Sequence, residues 1–89
     1  VNSWKELSGL PLAEKVQSLY RHGLFVMNIR YYEYKVNLYL IGTDYVEVFF
    51  HHKRGRIEHI LPLDRSHSRM KFYSDQVRLK NLLTPRISG

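Results

Sequence analysis

"YVEVFFHHKRGRIEHILP", Tyr45–Pro62, decides the fold: two apolar runs rich in β-branched and aromatic residues flank a basic tip that holds one glycine. Runs of this kind, separated by a turn residue, read as an antiparallel hairpin. With Arg54 and Gly55 as a two-residue loop, Val48 faces Leu61, Phe50 faces His59 and His52 faces Ile57 on one side of the ribbon. On the other side Glu47 meets Pro62, Phe49 meets Ile60 and His51 meets Glu58. A slip of one residue sets Phe50 against Glu58 and Glu47 against Leu61, a poorer separation of apolar from charged groups, so the first register is preferred. Arg54 is a poor occupant of a position that needs positive φ, which leaves a longer loop with left-handed Gly55 as the alternative.

Working outward toward the N-terminus, "GTD" at Gly42–Asp44 is a turn signal, and before it "YKVNLYLIG" places Tyr34, Val36, Leu38 and Leu40 on one face of a strand. Phe25, Met27 and Ile29 alternate with Val26, Asn28 and Arg30, a second half-buried strand; "RYYEY" lacks Gly, Pro and Asn, so the favoured reading is a turn there and the alternative one long bent strand. "PLAEKVQSLYRHG" is a helix: Pro11 suits the first turn, Leu12, Val16, Leu19 and Tyr20 share a face, and Gly23 can close the end in the left-handed conformation. Ahead of it, Trp4 and Leu7 either fold back on the core or form an extra turn.

Past Pro62 the alternation is lost. Asp64, Ser66 or Ser68 can cap a C-terminal helix with Met70, Tyr73 and Val77 inward, and Leu79, Leu82 and Leu83 extend it or form a second segment. The expected fold class is α+β: an N-terminal helix, an antiparallel meander of three to four strands and a C-terminal helix, with the helices on one face of the sheet. The expected organisation is an N-terminal lead (1–10), one compact domain (11–83) and a C-terminal tail (84–89).

The 89 residues suffice for one small core, and 44% hydrophobic residues with charges of both signs argue against disorder. No cysteine occurs, which excludes disulfide frameworks, thiolate metal sites and a cysteine nucleophile. There is no apolar run near membrane-spanning length and "VNSWKELSGL" is not a signal-type beginning, so a cytoplasmic protein without membrane attachment is expected. The chain starts at Val1 rather than a methionine, which leaves room for a segment upstream.

The net charge of +6 is uneven: five basic residues against four acidic ones through Asp44, then nine against four. Such a field favours acidic partners. The basic patch read from the second half comprises Lys53, Arg54, Arg56, Arg65, Arg69 and Lys71, and Tyr31, Tyr32, Tyr39, Tyr45 and Phe49 offer stacking surfaces, so RNA or DNA binding is one functional reading. No RNP, KH or helix-turn-helix signature accompanies it.

His51 and His52 are adjacent on a strand and point to opposite faces, so they cannot chelate one ion, and pairing either with a neighbour supplies two ligands where zinc needs at least three from the protein. No metal and no cofactor are expected. His51 opposite Glu58, beside Lys53, Arg54 and Arg56, has the ingredients of a phosphate-handling or phosphodiester-cleaving enzyme, but a cross-strand His–Glu pair is also ordinary on a wet sheet. The leading expectation is a non-catalytic interaction module with a protein partner or a second copy, in its simplest form a homodimer. If the helices cover one face, the other carries an apolar stripe, Tyr39, Ile41, Phe49 and Ile60, and the interaction surface is read as Tyr39, Phe49, His51, Glu58 and Ile60.

Overall fold

The computed structural model describes residues 2–83, and side chains through Gln76; the tail read for residues 84–89 lies outside the described residues, as do the inward positions read at Val77, Leu79, Leu82 and Leu83. Each period-two stretch of the sequence forms one strand: β1 (Leu24–Tyr31), β2 (Tyr34–Ile41), β3 (Asp44–His51) and β4 (Arg56–Leu63). They pair antiparallel in sequence order, β1-β2-β3-β4, which is the expected meander and makes the protein α+β. Ahead of the sheet come α1 (Trp4–Leu7) and α2 (Leu12–His22), and after it α3 (Arg69–Leu83).

The three turns follow from local chemistry. Gly42 (φ 60°) and Gly55 (φ 65°) take the left-handed conformations that close the β2–β3 and β3–β4 connections. The β1–β2 turn has two residues, and Tyr32, its first, sits at φ 55°, where a side chain is strained. Gly23 behaves otherwise than expected: it is extended (φ −90°, ψ 166°), and it matters because a Cβ there would lie 2.8 Å from the Leu19 carbonyl oxygen.

The hairpin takes the register that charge segregation disfavours. Val48 pairs with Ile60, Phe49 with His59 and Glu47 with Leu61; after a bulge, Phe50 pairs with Ile57 and His51 with Arg56. The loop is the longer one, residues 52–55, closed by the Gly55 N–H on the His51 carbonyl at 2.9 Å.

The helices cover both faces of the sheet rather than one. On the first face Leu7 of α1 and Leu19 of α2 pack with Ile41, Val46, Val48 and Ile60. On the second, Tyr73 of α3 packs with Ile29, Val36, Leu38, Phe49 and Leu63. β3 is shared by both cores, and Val46, Glu47, Val48 and Phe49 are buried in succession, as expected of a strand with protein on each side. Residues 2–10 are not a loose lead: Leu7 is fully buried, and the Trp4 N–H at the start of α1 donates to Asp44 Oδ2 across the fold (2.9 Å). At α3, none of Asp64, Ser66 and Ser68 supplies a side-chain cap to the first helical N–H; His67 Nδ1 accepts from the Arg69 N–H (3.0 Å). Asp64 instead closes the preceding turn by accepting from the Ser66 N–H and hydroxyl, both at 2.8 Å, and these bonds hold its carboxyl below the usual range.

Candidate functional site

The residues read as an outer interaction surface are divided between the two cores. Phe49 and His51 lie beneath the α3 face and are buried; Ile60 is buried on the α1–α2 face, and Tyr39 is half-buried there against Tyr20 of α2. The stripe expected from a one-sided sheet is thus covered, because each face has its own helix.

His51 and Glu58 also do not form a pair. The His51 ring accepts the Arg54 N–H at Nδ1 (3.0 Å), which places its proton on Nε2, facing Glu33 Oε2 at 3.2 Å. Both ring nitrogens of His51 are thus engaged within the protein, and its side chain is only 3% exposed. Glu58 is engaged by Arg54 (2.9 and 3.0 Å), by Arg56 (3.3 Å) and by the Tyr34 hydroxyl (3.2 Å). Partial burial opposes its ionisation, but those hydrogen bonds outweigh it and hold the carboxyl below the ordinary range. Among the described residues no three of His, Asp and Glu converge on a point where a metal could sit.

The basic patch is dispersed. Lys53, Arg54 and Arg56 belong to the hairpin tip, the latter two paired with Glu58; Arg65, past the opposite end of β4, lies over the Tyr45 ring (5.3 Å). Lys71 is exposed on α3. Arg69 points inward: its Nη2 is 2.9 Å from Glu47 Oε1, its Nε is 3.1 Å from both oxygens, and it lies between the Tyr31 and Phe49 rings. Glu47 is fully buried and also accepts the Tyr73 hydroxyl at 2.8 Å.

That last bond gives a pH dependence. Burial, the neighbouring Glu47 charge and the hydrogen bond to it all push the Tyr73 phenol above the ordinary tyrosine value of 10.0. The protonated form is favoured by folding, so this contribution is complete below pH 10 and is lost as pH rises above it. Melting temperatures between about pH 9 and 11 are expected to fall, and to fall less steeply in Tyr73→Phe; equal slopes would remove Tyr73 as the cause.

Sequence patterning offers the edges of an open sheet for pairing but does not show which edge is apolar. β1 and β4 are the outer strands, and they are finished differently. β4 carries Pro62, which has no N–H, together with Arg56, Glu58 and His59, all features that discourage pairing. β1 offers Leu24, Phe25 and Val26 in succession, 69%, 52% and 44% exposed. A bulge at Val26 shifts the alternation, so Met27 and Ile29 turn to the α3 core while Phe25, expected beside them, goes to the other face against Tyr39 (5.6 Å, edge-on). Eight large apolar residues among the described ones are exposed, and six surround this edge: the three on β1, Tyr20 on Tyr39, Tyr32 in the closing turn at 85%, and Phe72 beside Tyr31. A run such as "LFVMNIRY" with one charge is the available signal; the period-two reading assigned its apolar residues to the core instead.

The fold and this edge define a small α+β protein built on a four-stranded antiparallel meander with one open, apolar side. No protein-family model, curated protein or solved structure matches the chain. No helix among the described residues is long and apolar enough to cross a membrane.

Proposed function

We propose that the protein is a non-catalytic interaction module that works as a homodimer through the β1 edge. The observation that carries this reading is the gathering of exposed apolar side chains around one unprotected outer strand. A second copy related by a twofold axis would place β1 antiparallel to its own counterpart. In any register centred near Asn28 and Ile29, Tyr32 of one copy falls beside Leu24–Val26 of the other, and Arg30 avoids its symmetry mate. The surface is self-complementary in that arrangement, aromatic at one end and aliphatic at the other. The six side chains offer roughly 700 Å² per copy, taking about 200 Å² for a fully exposed large side chain. Stable interfaces bury about 800 Å² per partner, and the strand backbone supplies the remainder. The reading keeps the cytoplasmic setting expected from the sequence.

Sedimentation at about 100 µM chain, above the micromolar affinities common for interfaces of this size, is expected to show a dimer. Leu24→Glu with Phe25→Glu is expected to give a monomer, whereas Leu61→Glu on β4 leaves the dimer intact. Tyr32→Gly separates association from folding: relief of the positive φ is expected to raise stability by about 0.5–1 kcal/mol while dimerisation weakens. A wild-type monomer at that concentration, or a dimer indifferent to the β1 substitutions, refutes the proposal.

A further inference from the structure

At the hairpin end of the sheet the charges are sorted by face. Arg30 on β1 and Lys35 on β2 are register partners, both exposed, on the face opposite the α3 core that holds their neighbours Ile29 and Val36. Like charges set directly across two strands cost stability, and neither residue makes an ion pair among the described residues. Of the acids near this end, Glu33 is engaged by His51 and Glu58 by Arg54, Arg56 and the Tyr34 hydroxyl, while Asp75 of α3 lines a cleft with Asn28 and Arg30 without an ion pair to Arg30.

The row continues with Phe50, the partner of Lys35 and only half-buried, and the adjacent row opens with Asn28 opposite Asn37. The His52 N–H donates to the Glu33 carbonyl (2.9 Å), which draws the tip loop beside the β1–β2 turn, with its exposed Lys53, which makes no ion pair among the described residues. α1 and α2 cover Ile41, Val46, Val48 and Ile60 but not the Arg30–Lys35 pair.

We infer that this end of the sheet is a docking surface for single-stranded nucleic acid. Arg30, Lys35 and Lys53, none in an ion pair among the described residues, provide positive charge for successive phosphates, the side-chain amides of Asn28 and Asn37 can bond base edges, and Phe50 offers an aromatic edge for stacking. The complementary partner is a polyanion with flat, hydrogen-bonding groups, which fits a nucleic-acid strand better than a lipid surface because the row is polar and carries no protruding aliphatic side chain. The inference does not rest on self-association, since a chain with Leu24→Glu and Phe25→Glu retains the whole row.

The test is fluorescence anisotropy with a labelled oligouridylate of about 12 nucleotides, within the site sizes typical of sheet-based binders, over a salt series. Three phosphate contacts predict that log K falls with log salt at a slope of about −2. Arg30→Glu is expected to weaken binding at least about tenfold at low salt and to flatten that slope, while its melting temperature holds or rises because an opposed pair replaces a like-charged one. Lys35→Glu behaves the same way. Arg65→Glu, an equal change of charge at the far end of β4, leaves the affinity within about twofold. The inference is overturned by salt-independent or undetectable binding, by an equal loss in Arg65→Glu, by a fall in melting temperature in both row variants, or by phosphatidylserine vesicles competing the oligonucleotide off at low salt.

Discussion

Arg69→Ala is expected to lower the stability by about 3–5 kcal/mol, the cost typical of removing one partner from a buried ion pair. Glu47 has no exposed surface and takes three N–H contacts from Arg69, so truncation leaves a buried carboxylate with the Tyr73 hydroxyl alone. The guanidinium also fills the space between Tyr31 and Phe49, and those contacts go with it. For a domain of this size each kcal/mol moves the melting temperature by roughly 4–8 °C, so a drop on the order of 15 °C or more follows. Chemical denaturation and calorimetry read the change directly. Replacing the whole group, Glu47→Leu with Arg69→Met and Tyr73→Phe, is expected to recover most of the loss, because an apolar set of similar volume leaves no charge stranded. A cost below about 1 kcal/mol for Arg69→Ala would mean that α3 is held on the sheet by its apolar contacts and not by this ion pair.

Leu7→Ala is expected to cost about 2–5 kcal/mol, although Leu7 lies on a helix of four residues near the N-terminus. Its side chain is fully buried among Leu19, Ile41, Val46, Val48 and Ile60, so truncation opens a cavity in the α1–α2 core. A dispensable leader would tolerate the change within about 0.5 kcal/mol, as exposed positions do. Equilibrium unfolding decides between the two: a small effect would show that α1 is not part of the cooperative unit.

Helix α2 and an antiparallel meander of three to four strands were legible from the apolar periodicity and from the turn glycines Gly42 and Gly55, whereas the glycine-free β1–β2 turn left the strand count open. The two-sided covering was legible only in part. "YVEVFF" is nearly continuous rather than alternating, which is the mark of a strand buried on both faces, yet reading it as half of an amphipathic hairpin concealed this. The expected hairpin register is off by one residue along Tyr45–Phe49 and by two past the bulge, where Phe50 meets Ile57. Opposing Glu47 to Leu61 is unfavourable for the hairpin alone, and it becomes acceptable because Arg69, 22 positions away, arrives with α3. No local rule can weigh a partner at that distance. The bulge at Val26 has no glycine to announce it, so period-two reading puts Phe25 in the core and hides the apolar character of the β1 edge. His51 was singled out for chemistry, but its ring serves to hold the turn, bonded to the Arg54 N–H and to Glu33.

The shared strand β3 also orders the assembly of the molecule in time. A chain emerging N-terminus first has every residue of the α1–α2 core once Ile60 is laid down, whereas the opposite core waits for Tyr73. In that interval Ile29, Val36, Leu38 and Phe49 form an open apolar face with the carboxylate of Glu47 in their midst. A hydrated charge on an unfinished sheet keeps incomplete chains from stacking face to face. Glu47 thus places a charge on that face until Arg69 closes over it.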